Sequence, residues 1–338
     1  MTACSASVIT YSPALTVVPT YECFNRCTYC NFRVDPGADQ WLSRERLQQH
    51  LDWARSQNLI EILVLSGEVH PASPRRDLWF QHIFEICTVA LQQGFLPHTN
   101  AGPLSGAEMA QLKTVNVSMG LMLEQVTPTL LQNVHQHAPS KLPERRLAQL
   151  EQAGRLQIPF TTGLLLGIGE SASDRIETLR AIARCQDRWG HIQEVILQPH
   201  QPGSRQAQTR LGFSPSALAD FVKTARQYLP QEITLQIPPN LVPDRQYVLQ
   251  AIAHGARDLG GLGPKDEVNP DYHHPTPDDL RSRLAPMGWQ LQPRLPVYPQ
   301  YDSWLTPTVR AAVERWRDRL AQPAAISGSG VADSRGSA

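Results

Sequence analysis

The chain has 338 residues, and its 31 lysines and arginines equal its 31 aspartates and glutamates, so the formal net charge is zero. A neutral chain argues against a general nucleic-acid coat and against a binder of anionic membranes, since both need a basic excess. No run of about 18 uncharged apolar residues occurs in the sequence, so no membrane span is expected. The length suits one large barrel, which takes about 250 residues plus insertions.

Short strand-like runs alternate with longer helical patterns along the chain. In the helix predicted over 77–93, the apolar spacing predicts that Leu78, Ile83, Ile86 and Leu91 face the core. The predicted strands are 15–20, 60–65, 95–99, 115–122, 160–166, 194–197, 233–237 and 256–262. The predicted helices are one that starts after Ser43, followed by 77–93, 142–153, 171–189, 215–229, 243–254 and 278–286.

This order gives about eight β-then-α units. Because parallel neighbours need a crossover connection, the pattern predicts an α/β fold, a (β/α)8 TIM-type barrel with its chemistry at the carboxyl ends of the strands. An open six-unit barrel with a C-terminal extension is the alternative. We expect an N-terminal arm at 1–14, the barrel at 15–290, a C-terminal extension at 291–321 and a disordered tail at 322–338.

The six cysteines are unevenly spread, which argues against a disulfide framework. Cys4, Cys87 and Cys185 are isolated, and Cys87 falls within a predicted helix beside apolar neighbours. We therefore expect these three to bind no metal. The first ten residues lack the basic and apolar regions of a secretory signal, so a reducing cytoplasm is the expected location.

The other three cysteines form a C-x3-C-x2-C motif, Cys23, Cys27 and Cys30, directly after the first predicted strand. Three thiolates on one loop can converge on a soft metal centre. Tetrahedral zinc would need a fourth protein ligand, either His50 or a distant histidine, and would make the chain a zinc-stabilised binding module. An iron–sulfur cubane normally takes four cysteines, so three would leave one iron open. The spacing alone leaves both open, while the position on a barrel rim and the aromatic Tyr29 favour the cluster.

The motif resembles that of the radical S-adenosylmethionine superfamily, which has C-x3-C-x2-C after the first barrel strand and an aromatic residue before the third cysteine. The resemblance implies that Cys23, Cys27 and Cys30 bind a [4Fe-4S] cluster. It also implies that the open iron chelates S-adenosylmethionine, with Tyr29 beside the adenine.

Further rim motifs extend this resemblance. Ser66-Gly67-Glu68 is similar to the family's Gly-Gly-Glu motif with serine in the first place, which implies that Glu68 holds the methionine amino group. By itself such a triplet would more often form a turn, and Glu124 could equally be a solvated acid. The cofactor-binding residues that the resemblance implies are Tyr29, Ser66, Gly67, Glu68, Glu124, Gly167 and Gly169.

Polar residues also follow the later strands, at the same rim. Amides pair with a polar ligand in both directions, which favours them for substrate binding. The predicted substrate-binding residues are Gln198, His200, Asn240 and Asn269. The candidate acid–base residues are His200, Asp266 and Glu267. A lone histidine such as His200 is often structural, and Asn269, before Pro270, could instead shape a turn.

The segment Gly260–Pro270, together with LQIPPNL, FTTGLLLGIGE and GLMLE, resembles the deazaflavin-synthase branch, in its CofG-type subunit, over about residues 8 to 300. The resemblance implies a radical carbon–nitrogen lyase. It would convert 5-amino-5-(4-hydroxybenzyl)-6-(D-ribitylimino)uracil to 7,8-didemethyl-8-hydroxy-5-deazariboflavin, releasing ammonia, methionine and 5′-deoxyadenosine.

The same resemblance implies two partners besides the small-molecule substrate. One is a CofH-type subunit that makes the adduct, and the other is a low-potential electron donor of ferredoxin or flavodoxin type. Neither nucleic acid nor a membrane is expected as a partner. The alternative within the branch is that this chain is itself CofH-type and joins a tyrosine-derived hydroxybenzyl group to 5-amino-6-ribitylaminouracil.

Overall fold

Eight parallel strands close into a barrel in the computed structural model, which describes residues 7–207 and 210–322. The strands are β1 (Ser7–Val17), β2 (Glu61–Leu65), β3 (Leu96–Asn100), β4 (Ser118–Gly120), β5 (Phe160–Leu166), β6 (Ile192–Pro199), β7 (Thr234–Gln236), β8 (Asp258–Leu262) and β9 (Trp289–Pro293). Neighbours pair in chain order from β2 to β8, and β1 pairs with both β2 and β8. The TIM-type barrel is confirmed, and the open six-unit alternative is wrong.

The helices surround this barrel and are α1 (Arg44–Ser56), α2 (Arg76–Gln92), α3 (Gly106–Lys113), α4 (Pro143–Arg155), α5 (Ala172–Trp189), α6 (Pro215–Tyr228), α7 (Arg245–Ala253), α8 (Pro277–Leu284) and α9 (Pro307–Ala321). The Ser43 hydroxyl caps α1, as expected. Helix α3 was not predicted, although Ser105 and Glu108 form a capping box at its start. Within the described part of the chain, no helix is both long and apolar enough to cross a membrane.

One predicted core position in α2 is wrong. Leu78 is 65% exposed, whereas its neighbour Trp79 is completely buried. Trp79, Ile83 and Ile86 recur at the i, i+4, i+7 spacing of one helix face, and this face packs on the barrel. Leu78 lies one residue, or about 100°, away from that face.

Strand β1 begins at Ser7 rather than at residue 15, so residues 7–14 lie in the barrel wall and not in an arm. Its register shows why. Residues 7–11 pair with β9, residues 10–13 with β8, and residues 14–17 with β2. Successive partners hold the strand through backbone hydrogen bonds, although Ser12 and Pro13 interrupt its apolar pattern. Residues 1–6, including Cys4, lie outside the described residues.

The C-terminal part of the chain closes the amino-terminal end of the barrel. Strand β9 extends the sheet beside β1 and crosses the boundary expected at residue 290. The chain then passes under the strands, where the Pro296 carbonyl accepts hydrogen bonds from Ser118 Oγ (2.5 Å) and Gln193 Nε2 (3.1 Å). Trp316 of α9 donates to the Gly94 carbonyl (2.6 Å). Residues 323–338, which hold nearly all of the predicted disordered tail, lie outside the described residues.

Candidate active site

A cavity of about 320 Å³ opens at the carboxyl ends of the strands. Chemistry in barrels of this type collects at that face, because loops from several strands converge there. The predicted residues that line the cavity are Cys23, Cys27, Tyr29, Cys30, Ser66, Gly67, Glu68, Glu124, Gln198, His200 and Asn269. The barrel therefore brings the cysteine motif and most of the predicted rim residues to one place.

The three cysteines face this cavity as free thiols. Burial raises the pKa of Cys23 to about 11 and that of Cys27 to about 12, so both stay protonated at neutral pH. A metal centre displaces such protons when it binds. Across residues 7–207 and 210–322, no three His, Cys, Asp or Glu side chains lie close enough to hold a single metal ion. Three thiols that share one loop but do not converge on a single ion suit a cluster, in which each binds its own iron.

The zinc alternative requires a fourth ligand, and the structure does not supply the expected one. His50 lies on α1 and does not line the cavity. Cys87 and Cys185 are buried in the core under α2 and α5, away from the cavity. Their position is that of small core side chains, and Cys4 falls outside the described residues.

The segment between β4 and α4, residues 125–142, supports the cysteine loop from behind. The backbone amides of Arg26 and Thr28 donate to the carbonyls of His137 (2.7 Å) and Val134 (3.1 Å). Asn25 Oδ1 accepts from the Ser140 amide at 3.1 Å. These bonds fix the loop without using its thiols, so the loop keeps its shape before any cluster binds.

The same segment also holds Tyr29. The Tyr29 hydroxyl lies 2.9 Å from His135 Nε2. Burial lowers the pKa of His135 to about 3 and raises that of Tyr29 well above its usual value, so both groups are neutral and the phenol donates to the imidazole. The pair fixes the ring of Tyr29 at the cavity wall. His135 was not predicted, since its distance in sequence hides the contact.

Glycine is required at two positions beside Glu68. A Cβ on Gly67 would lie 2.1 Å from the Glu22 carbonyl oxygen, and one on Gly102 would lie 2.4 Å from Glu68 Cδ. The backbone of the cysteine loop and the Glu68 side chain occupy that space. Ser66 serves a different purpose, because its hydroxyl accepts from Trp79 Nε1 at 3.0 Å within the wall.

The Glu68 carboxylate is held from two sides. Its Oε2 accepts from Asn25 Nδ2 at 2.9 Å, and its Oε1 lies 3.5 Å from the Arg146 guanidinium. Arg146 is 2% exposed, although it belongs to a helix that shows a basic surface pattern. A carboxylate that is 12% exposed and has fixed partners is ready to accept from an ammonium group of a ligand.

Glu124 is also buried and paired, so the solvated-acid alternative is wrong. It is 6% exposed, has a φ of +61°, and its Oε1 lies 2.6 Å from Lys141 Nζ. Burial alone would raise the pKa of Glu124, but Lys141 and Arg146 lower it below the usual value. Neither Lys141 nor Arg146 was predicted, because each approaches Glu124 only when residues 139–146 pack against the rim.

The end of β6 and the loops after β6 and β8 contribute Gln198, His200 and Asn269 to the cavity wall. His200 Nε2 lies 3.3 Å from Gln206 Oε1, while its buried Nδ1 has no hydrogen-bond partner among the described residues. Burial lowers the pKa of His200, so the ring is neutral at pH 7. This part of the wall offers amide and imidazole groups and no fixed charge.

Asn240, Asp266 and Glu267 do not line the cavity. Asp266 accepts from Asn240 Nδ2 (2.8 Å) and from the amide of Asn269 (2.9 Å), so it shapes the loop after β8. Glu267 accepts from the Tyr21 hydroxyl at 2.7 Å. The substrate contact expected of Asn240 and the acid–base roles expected of the two acids stay predictions, with these side chains outside the cavity wall.

Gly167 and Gly169 also lie outside the cavity wall. Both have positive φ angles, +90° and +117°, at the turn after β5. The Gly167 amide donates to the buried Glu170 carboxylate at 2.8 Å. These glycines shape the turn that leads from β5 into α5.

Comparison with known proteins agrees with this geometry. A model of the radical SAM superfamily matches residues 17–182. The chain is 61% identical over 314 residues to a 7,8-didemethyl-8-hydroxy-5-deazariboflavin synthase of Trichormus variabilis, covering 93% of this chain and 92% of the relative. It is 60% identical over 315 residues to a synthase of the same name from Synechococcus elongatus, covering 93% and 94%.

A solved structure with low sequence identity is similar to this chain in its fold. The FeFe-hydrogenase maturase HydG from Carboxydothermus hydrogenoformans superposes with a TM-score of 0.70 at 15% identity, covering 92% of this chain and 77% of that one. The cysteine loop, the cavity and the sequence relatives agree, and this chain belongs to the radical S-adenosylmethionine superfamily and, within it, to the family of the 7,8-didemethyl-8-hydroxy-5-deazariboflavin synthases.

Proposed function

We propose that this chain converts 5-amino-5-(4-hydroxybenzyl)-6-(D-ribitylimino)uracil to 7,8-didemethyl-8-hydroxy-5-deazariboflavin, with release of ammonia, methionine and 5′-deoxyadenosine. The observation that carries the proposal is one cavity lined both by three free thiols and by the uncharged polar side chains Gln198, His200 and Asn269. The relatives' shared name and their coverage of nearly the whole chain support the same reaction.

The family uses a [4Fe-4S] cluster and S-adenosylmethionine. When bound, these groups supply the one-electron chemistry that removes a hydrogen atom from the substrate. Cys23, Cys27 and Cys30 would hold the cluster. Glu68 would accept from the methionine ammonium, and Glu124 from the ribose hydroxyls.

The loops around the cavity exclude water from the reacting groups, which protects a radical from side reactions. Asn31, next to the last cysteine, accepts from the Arg205 amide at 2.7 Å and donates to Asp271 at 3.0 Å. Asp271 in turn accepts from the Ser204 amide at 2.8 Å. The loops after β1, β6 and β8 are thereby joined over one side of the cavity.

The function is tested with anaerobic, reconstituted and reduced protein, supplied with S-adenosylmethionine and the adduct. We expect the deazaflavin, detected by its fluorescence, together with 5′-deoxyadenosine. Tyrosine plus 5-amino-6-ribitylaminouracil in place of the adduct should give no coupled product. Adduct formation from those two compounds would assign the chain to the CofH-type reaction instead.

Glu68→Gln should weaken S-adenosylmethionine binding by roughly tenfold or more, because it keeps the shape but removes a charge-assisted bond of about 1.5–3 kcal/mol. Equilibrium binding to the cluster-loaded protein measures the effect. Glu151→Gln, on the outer face of α4, is the matched control and should bind normally. An unchanged dissociation constant in Glu68→Gln would refute the role.

Asn269→Ala should retain the cluster and the slow cleavage of S-adenosylmethionine without substrate, yet bind the adduct poorly. Asn269 lies in the cavity wall, and amides pair with uracil edges in both directions. Asn240→Ala tests the second predicted amide, and Gln48→Ala, on the exposed face of α1, is the control that should bind the adduct normally. Normal adduct binding and a normal rate in Asn269→Ala would show that this side chain only shapes its loop.

The reaction requires a supply of adduct and of electrons. A CofH-type subunit and a ferredoxin- or flavodoxin-type donor are the partners that this chemistry needs. The free thiols of Cys23, Cys27, Cys30, Cys87 and Cys185 support a reducing compartment, and we place the protein in the cytoplasm.

A further inference from the structure

A second, smaller cavity lies inside the barrel. Its volume is about 90 Å³. It shares the wall residues Leu63, Asn100, Met122 and Ile196 with the cavity at the rim. Since a single water molecule needs only about 10–15 Å³ of such volume, the inner cavity has room for a small polar ligand. Its position lies directly beneath the proposed substrate.

The wall of the inner cavity is polar, whereas barrel interiors of this type are mostly filled by Val, Ile and Leu. Glu61, His98, Thr161 and Glu194 contribute to it from four different strands. Buried polar groups in proteins are nearly always hydrogen-bonded. The partners of these four groups therefore show what the cavity can hold.

His98 presents a free lone pair to the cavity. Ser118 Oγ donates its only hydrogen to the Pro296 carbonyl at 2.5 Å, so it must accept from His98 Nδ1, 2.7 Å away. Burial lowers the pKa of His98 to about 3, so the ring is neutral and its other nitrogen carries no hydrogen. Among the described residues, Nε2 has no hydrogen-bond partner, and His98 is 7% exposed.

Glu61 is the second group without a strong partner. It is 6% exposed and forms no ion pair within residues 7–207 and 210–322. The nearest cation, Arg294, is occupied by Asp258 (2.6 Å) and Glu194 (2.6 Å). Two buried carboxylates thus share the Arg294 guanidinium beside the inner cavity, and among the described residues Glu61 is left without an ion pair.

We propose that the inner cavity binds an ammonium ion between Glu61 and His98 Nε2. Ammonium matches this wall because it is a small cation that only donates hydrogen bonds, while the wall offers a carboxylate and a lone pair. The identity of the ligand rests on the proposed function, which releases one ammonia per turnover next to this cavity. The cavity would receive the leaving nitrogen and keep it away from the deazaflavin ring.

Thermal unfolding of the reconstituted protein tests the site without any turnover. With ammonium chloride at about ten times its dissociation constant, Tm should rise by about 2 °C relative to sodium chloride at equal ionic strength. Glu61→Gln should abolish this rise. It should fold normally, because it removes an uncompensated buried charge. Glu151→Gln, outside the barrel, should retain the rise.

Two further measurements distinguish ammonium from other occupants of the inner cavity. Potassium chloride should produce little of the shift, because potassium cannot donate to His98; an equal shift would overturn the ammonium assignment. In spectra with [15N]ammonium, protons of a bound ion should appear apart from those of free ammonium, and only in wild type. No bound signal and no ammonium-dependent Tm would mean that the cavity holds water only.

The ammonium-binding test and the deazaflavin assay can fail independently of each other. Deazaflavin formation by a protein that is insensitive to ammonium would overturn this inference alone. Ammonium binding by a protein that makes no deazaflavin would overturn the proposed reaction and leave the cation site standing.

Discussion

Cys27→Ala should abolish cluster binding, with loss of nearly all cluster iron, of the brown colour and of deazaflavin formation. Cys27 is the middle thiol of the loop and is buried against the cavity wall. With only two thiolates left, two of the four irons would lack a protein ligand. The fold should survive, since backbone hydrogen bonds from residues 125–142 hold the loop. Iron content and visible absorbance measure the effect.

Cys87→Ala and Cys185→Ala are the matched controls. Both thiols are buried, free and outside the cavity. Each variant should keep the full iron content, at the cost of a small gap in the core. Full cluster retention in Cys27→Ala, or loss of the cluster in either control, would contradict the ligand assignment.

Arg294→Met should destabilise the protein by about 3–5 kcal/mol, because it leaves two buried carboxylates without their cation. Arg294 forms two bonds with Asp258, at 2.6 and 2.9 Å, and a third contact with Glu194 at 2.6 Å. Denaturant unfolding of wild type and variant measures the difference. Arg180→Met, in a half-exposed pair with Glu177, should change stability by less than about 0.5 kcal/mol.

The loss of unfolding free energy caused by Arg294→Met should become smaller as the pH falls. Burial already raises the pKa of Glu194 to about 7, even though Arg294 opposes the shift. Without Arg294 the folded-state pKa rises further, so the folded protein binds more protons than the unfolded one. Its stability is then greatest below the unfolded pKa and declines as pH rises towards the folded value. If the stability loss of Arg294→Met instead grew on acidification, the burial of unpaired carboxylates would not be its cause.

The barrel could be predicted from the alternation of strands and helices, but its ends could not. Strand β9 and helix α9 were missed because their pairing partners, β1 and the Gly94 carbonyl, lie more than 200 residues away. Helix α3 was missed although its capping box was visible, since only Met109 and Leu112 face its core. Local patterns identify elements, while distant partners decide where they stop.

In the candidate site too, local motifs could be read from the sequence, whereas contacts between distant residues could not. The cysteines and Glu68 could be found because short motifs carry their chemistry. Arg146 looks like a surface cation of α4, and Lys141 like one of the turn before it; only the folded chain buries Arg146 and pairs Lys141 with Glu124. Asn240 was predicted to contact substrate because it is a strand-end amide; in the structure it donates to Asp266 outside the cavity wall, and its role stays a prediction.

The pairing of β1 with β9 sets the order of events during synthesis. Ser7 is made first, yet its partner Trp289 emerges about 280 residues later. At 5–20 residues per second, the first strand waits roughly 15 to 60 s for that edge. The cysteine loop follows this waiting strand directly, so its surroundings are complete only when nearly the whole chain has left the ribosome. We therefore expect the cluster to enter the completed barrel rather than the nascent chain.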